Sequence, residues 1–125
     1  MNVNLIYYED CITNLQKRVE KNSIDLIIAD PPFGISFTGK GTQYRRKSDF
    51  VISGYNEITK QNYLAFSKEW IKAIYPVLKE YGSAYIFSGW TNLKDILIAI
   101  DEGGFTIINH IIWKYQFGVY TNVNM

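Results

Sequence analysis

Apolar and polar positions along the chain follow two rhythms. Asp25-Leu26-Ile27-Ile28-Ala29 is a short aliphatic run that stops at Asp30 and two prolines, which predicts a buried strand. Asn4 to Tyr8 predicts an earlier strand. Ile12, Leu15 and Val19 then fall at helical spacing, giving a helix from about Ile12 to Lys21 with Asp10 placed to cap it. Tyr63, Phe66, Trp70, Ile74 and Leu78 recur every three or four residues, an amphipathic helix running from Thr59 to about Lys79 whose stripe reads as core. Pro76 should kink or end it. Gly82 predicts a turn into a strand over 83–87. Thr91 to Glu102 predicts another helix, capped by Thr91 and ended by Gly103-Gly104. Phe105 to Trp113 predicts a fourth strand. Strands alternating with helices imply an α/β fold with a mostly parallel sheet.

Bulk properties narrow this picture. With 125 residues, 47% of them hydrophobic, the chain is one domain's worth and can bury a real core. No apolar run approaches a membrane span, and the start lacks a signal-peptide pattern. A single cysteine, Cys11, excludes an internal disulfide and fits a cytoplasmic location. The net charge of +1 says nothing for nucleic acid, so any such affinity must come from a local patch. His110, the only histidine, has no partners at ligand spacing, and no metal site is expected.

The chemistry concentrates at Asp30-Pro31-Pro32-Phe33. In an open α/β sheet, ligands gather beyond the carboxyl ends of strands, where these residues would sit. Each proline fixes φ, removes an N–H and pushes its predecessor towards an extended conformation. The outcome is a stiff lip offering only acceptors: the Asp30 carboxylate and a backbone carbonyl of the proline pair. Such a lip suits the activation of an exocyclic amino group, a poor nucleophile because its lone pair is delocalised. Drawing both N–H hydrogens towards acceptors favours a pyramidal nitrogen and returns electron density to its attacking lobe, a preorganisation argument of the oxyanion-hole kind. Phe33 offers a flat face for a base turned out of its helix. The plainer alternative is a strand ended by a rigid turn, with Asp30 solvated and Phe33 in the core.

Asp30-Pro31-Pro32-Phe33 resembles the catalytic tetrapeptide of the amino-directed DNA methyltransferases. The surrounding order is similar to their beta class: Asp10-Cys11 before a helix, then the catalytic strand, then Gly82-Ser83-Ala84-Tyr85-Ile86-Phe87-Ser88, then Ile111-Ile112-Trp113-Lys114. The resemblance implies a partial Rossmann-like methyltransferase fold, with S-adenosyl-L-methionine as methyl donor and double-stranded DNA as substrate. It makes Asp30, Pro31, Pro32 and Phe33 catalytic, sets Asp10, Cys11 and Asp30 at the cofactor and brings Trp113 to the flipped base. Asp at the first position is more typical of adenine N6, and Ser of cytosine N4. Such enzymes serve restriction-modification. Lys114 departs from the commoner pattern, in which lysine stands two places after the tryptophan.

Two further stretches bear on partners. Lys40, Arg45, Arg46 and Lys47 form the one concentrated basic patch, in a long irregular stretch next to the lip, where contact with DNA phosphates is the functional reading and a solvated loop the plain one. Phe37-Thr38-Gly39-Lys40-Gly41-Thr42 spells the family's cofactor-loop pattern but lacks the strand before and helix after that a working loop needs, and reads as coincidence. Trp90 reads as capping the sheet rather than lining a pocket, and Tyr115, Phe117 and Tyr120 suit base stacking or form a surface that missing chain would cover.

Residues 1–125 are therefore expected to be the catalytic part of a methyltransferase domain, without its cofactor Gly-rich loop and target-recognition region. A second subunit or a C-terminal half would complete it, and a half-sheet left bare should be sticky. The competing class is a non-catalytic nucleic-acid-binding or assembly module. A metabolite enzyme of Rossmann type is a weaker third, since no Gly-rich dinucleotide turn stands in context.

Overall fold

A computed structural model describes residues 4–34 and 58–114. Helix α1 spans Cys11–Arg18, strand β1 Ile24–Ala29, helix α2 Lys60–Ile74, strand β2 Leu78–Ile86 and helix α3 Leu93–Glu102. β1 and β2 pair in parallel, with Leu26 opposite Ser83, Ile27 opposite Ala84, Ile28 opposite Tyr85 and Ala29 opposite Ile86. With its flanking helices the molecule is a partial α/β fold, in line with the α/β class and parallel pairing expected above.

The core lies between the helices and one face of the sheet. Tyr63, Trp70, Ile71 and Ile74 of α2 pack with Ile96 and Ala99 of α3, while Ile12 and Leu15 of α1 and Ile27, Ala29 and Ile86 of the sheet close over them. Full burial of side chains such as Ile71 and Ile96 is worth about 1.5–3 kcal/mol each. The opposite sheet face is open: Leu26 and Ile28 of β1 and Tyr85 of β2 are exposed.

Helix ends follow local chemistry. The Asp10 side chain caps α1 by accepting from the Thr13 amide at 3.0 Å, as expected. The helix stops at Arg18 rather than near Lys21, because Val19 is already extended. α2 gives way at Pro76 to a single 3-10 turn over Tyr75–Val77, since proline supplies no amide for the α-helical ladder. α3 begins later than expected. Trp90–Asn92 form a 3-10 turn, so Asn92 and not Thr91 occupies the N-cap position. At its far end Gly104 adopts φ +87, a left-handed stop that glycine adopts without a Cβ clash.

Three sequence expectations are corrected. Residues 5–8 and 105–113 form no strand, and most of their side chains are exposed. Apolar composition favours a strand only where a neighbour supplies the ladder, and among the described residues none does. His110 is accordingly an exposed residue off the sheet. Gly82 lies inside β2 rather than in a turn before it. Between the pairs Ile24–Leu78 and Leu26–Ser83, Asp25 alone faces Lys79 to Gly82, a bulge of unusual size. A Cβ on Gly82 would come within 2.8 Å of the Leu78 side chain and 3.1 Å of the Asp25 carbonyl, so glycine lets the two strands approach closely at the bulge. Lys79 Nζ meets Asp25 Oδ1 across it at 2.6 Å. Trp90, expected to cap the sheet, is 87% exposed because its 3-10 turn swings it outwards.

Candidate functional site

The parallel ladder runs to the base of the lip. The Phe87 amide donates to the Ala29 carbonyl at 2.9 Å, one residue beyond the end of β2. Asp30 follows Ala29 and is exposed, while Pro31, Pro32 and Phe33 are half-buried. Side chains alternate along a strand, and Ile27 and Ala29 face the helical core. Continuing that alternation carries Asp30 to the open face with Leu26 and Ile28. Among the described residues, no hydrogen bond engages the Asp30 carboxylate or the carbonyls of Pro31 and Pro32.

The far end of the lip is held from the loop after β2. Phe33 lies against Gly89, where an added Cβ would sit 3.7 Å from the Phe33 Cβ. The Asn92 side-chain amide donates to the Phe33 carbonyl. Gly34 is buried at φ +64, and a Cβ there would fall 2.7 Å from Tyr63 Cδ2 and 3.0 Å from Asn92 Nδ2. The loops after β1 and β2 thus meet at one edge of the sheet, as parallel pairing dictates. Asn92 was missed by sequence reasoning, which set it inside a helix capped by Thr91; only the fold shows what its amide reaches.

Trp113 joins this edge through a neighbour. Its ring is 77% exposed and lies 6.5 Å from the Phe87 ring at a tilt of 53°. Lys114 is exposed beside it. Asp10 and Cys11 do not hydrogen-bond to the lip. Asp10 is taken up by α1, with Thr13 Oγ1 a second donor at 3.3 Å, though a carboxylate keeps further acceptor capacity at this exposed position. Cys11 is exposed, yet partial desolvation of its sulfur by neighbouring atoms raises its thiol pKa above the usual value, and the Asp10 charge adds to the shift, so the thiol stays protonated at neutral pH. Lys40, Arg45, Arg46 and Lys47, the pattern at 37–42 and the aromatics Tyr115, Phe117 and Tyr120 lie outside the described residues.

Elsewhere, a shallow cleft lined by Lys68, Lys72, Tyr75, Pro76 and Glu102 opens beside the start of β2, at the opposite end of the strands from Asp30. Lys68 and Glu102 neutralise each other across it at 2.8 Å. Among the described residues, no three His, Cys, Asp or Glu side chains gather into a metal-binding group, and no helix is long and apolar enough to cross a membrane.

An exposed carboxylate on a proline-stiffened turn stands here at the carboxyl edge of a parallel pair, the position at which open α/β sheets gather their ligands. The chain belongs to the N6/N4 DNA methylase family: that family's sequence model, described as a DNA methylase, matches residues 24–124. It is 35% identical over 104 residues to the Type II methyltransferase M.HpaI of Haemophilus parainfluenzae, covering 82% of this chain and 29% of that protein. It is 30% identical over 124 residues to the Type II methyltransferase M.HinfI of Haemophilus influenzae, covering 90% and 32%. The Type II methyltransferase M2.DpnII of Streptococcus pneumoniae is also 30% identical, over 119 residues, covering 90% and 42%. The chain thus spans about a third of the length of the relatives it matches.

Proposed function

We propose that residues 1–125 form the base-activating part of a DNA methyltransferase that transfers a methyl group from S-adenosyl-L-methionine to adenine N6. The observation that carries this reading is the open Asp30 carboxylate at the carboxyl edge of β1, stiffened by Pro31-Pro32 and anchored at both ends. Family membership and the Type II methyltransferase relatives support it. Asp30 and a carbonyl of the proline pair accept the two amino hydrogens of the target base, so that the nitrogen lone pair points away from the ring. Phe33 and Trp113 supply apolar faces for a base drawn out of the duplex, which exchanges stacking in DNA for stacking on protein. Adenine is preferred to cytosine because the first residue of the tetrapeptide is Asp.

The residues present fit a cationic methyl donor: Asp30 is an open carboxylate, and Asp10 keeps an exposed acceptor beside its capping role. Asp30, Asp10 and Cys11 would hold the cofactor, which supplies an electrophilic methyl on a sulfonium. Lys40, Arg45, Arg46 and Lys47 would neutralise phosphates of double-stranded DNA. A restriction-modification setting follows from this reading, as does completion by a C-terminal half or second subunit bearing the Gly-rich loop.

The test is transfer of radiolabelled methyl from S-adenosyl-L-methionine to duplex DNA, with the protein alone and with a polypeptide bearing the Gly-rich half. Nucleoside analysis should show N6-methyladenine, and Asp30→Ala should abolish the signal. Label in N4-methylcytosine would overturn the adenine assignment. Transfer that survives Asp30→Ala would overturn the site.

A further inference from the structure

Asn92 stands directly before α3, where asparagine is among the best residues because its side-chain oxygen can accept a first-turn amide. It makes no such bond. Its backbone, at φ −116 and ψ 13, lies outside the extended region that capping residues normally use. The side chain instead reaches 59 residues back along the chain to the Phe33 carbonyl, and the residue is only 5% exposed. A carbonyl can only accept, so this contact fixes which end of the amide faces the lip.

We propose that Asn92 is a positioning residue for the lip, acting through the Phe33 carbonyl; the inference rests on the base-activating reading above. The need arises from the lip's own composition. Pro31 and Pro32 have no N–H, so the middle of the lip cannot be tied down by donors of its own. Their rings fix φ but leave ψ to be set by neighbours. One end is held by the ladder bond from Phe87 to Ala29. The other end is held by Asn92 on the Phe33 carbonyl, with the left-handed turn at Gly34 seated on Tyr63. Between these anchors lie Asp30, Pro31 and Pro32, the acceptors the chemistry needs. By occupying the Phe33 carbonyl, Asn92 also withdraws that oxygen from competition for the base. An N-cap contact given up for a contact with the lip is what a positioning role leaves behind, and a plain helix cap does not.

The first test uses the unaltered full chain: a scalar coupling by NMR between the Asn92 side-chain nitrogen and the Phe33 carbonyl carbon. A resolved coupling supports the anchor, and its absence overturns it. The second uses Asn92→Asp, which removes the donor yet keeps the shape and offers α3 a better cap. At pH 8, exchange of the buried Gly34 amide, which shares a peptide group with the Phe33 carbonyl, should quicken by about tenfold or more while α3 keeps its protection. Unchanged exchange at the lip, or equal loss of protection in lip and helix, overturns the proposal. In methyl-transfer assays the variant should lose about ten- to a hundredfold in kcat with little change in KM for DNA, as expected for lost alignment rather than lost binding. A rise in KM alone would overturn it. If coupling and exchange behave as stated but the unaltered protein with its complement methylates no DNA, the anchor stands and the functional reading falls.

Discussion

The Phe87 amide and the Ala29 carbonyl, 2.9 Å apart, form the rung of the parallel ladder nearest the lip, immediately before Asp30. Because that rung is backbone to backbone, it sets the position of Asp30 without depending on any side chain of the site. Changes in the chemistry of the lip can therefore be separated from changes in the fold.

Asp30→Asn should test that separation. The carboxylate is exposed, so folding stability should move by no more than ~0.5 kcal/mol. Methyl transfer should fall by about a hundredfold or more, the usual scale for removing a preorganised electrostatic partner. Thermal melting and a labelled-methyl assay on the same preparation check both halves.

Gly34→Ala should act first on the fold. The φ of +64 disfavours any Cβ, and the new methyl would meet Tyr63 Cδ2 at 2.7 Å. We expect a loss of about 1–3 kcal/mol, read from the midpoint of urea unfolding.

Asp10→Ala should destabilise by about 1 kcal/mol through loss of the cap on the Thr13 amide. α1 has only eight residues and no fully buried side chain, so the effect should appear first as faster amide exchange over 11–18. Asp10→Ser should restore most of the protection.

Cys11 gives a pH dependence. Its folded-state pKa is raised, first by burial and then by Asp10, relative to an ordinary value of 9.0. The stability linked to this shift is fully present below about pH 9, where the thiol is neutral in folded and unfolded chains alike, and is lost as pH rises through the folded pKa. Alkylation by iodoacetamide should therefore be slower in the folded protein than in urea at pH 8.5, and the difference should close at higher pH. Equal rates at pH 8.5 would contradict the shielding of the sulfur.

Some of this molecule could be read directly from its residues and some could not. β1 and its turn were legible because an aliphatic run ending in Asp30-Pro31-Pro32 admits few conformations. The burial expected of that strand is not found: Leu26 and Ile28 lie open because no element among the described residues covers that face. The α2 stripe from Tyr63 to Ile74 was equally plain. Residues 5–8 and 105–113 misled because apolar content reports a preference, while a strand is a pairing with another segment. Gly82 misled because a glycine before an apolar run reads as a turn, whereas here it permits close approach of Leu78 and Asp25 inside a strand. At the candidate site, the exposed position of Asp30 followed from its neighbours, a strand before it and two prolines after. The Asn92 contact did not, since its partner at Phe33 becomes a neighbour only after β1 and β2 pair.

The bulge opposite Asp25 has a practical consequence. It takes up chain length at the end of the pair remote from Asp30, and Tyr81 at its tip is 93% exposed. An epitope or fluorescent label spliced there would travel with the strand while sparing the rungs from Leu26–Ser83 onwards, a handle for following the protein without touching the edge that carries Asp30.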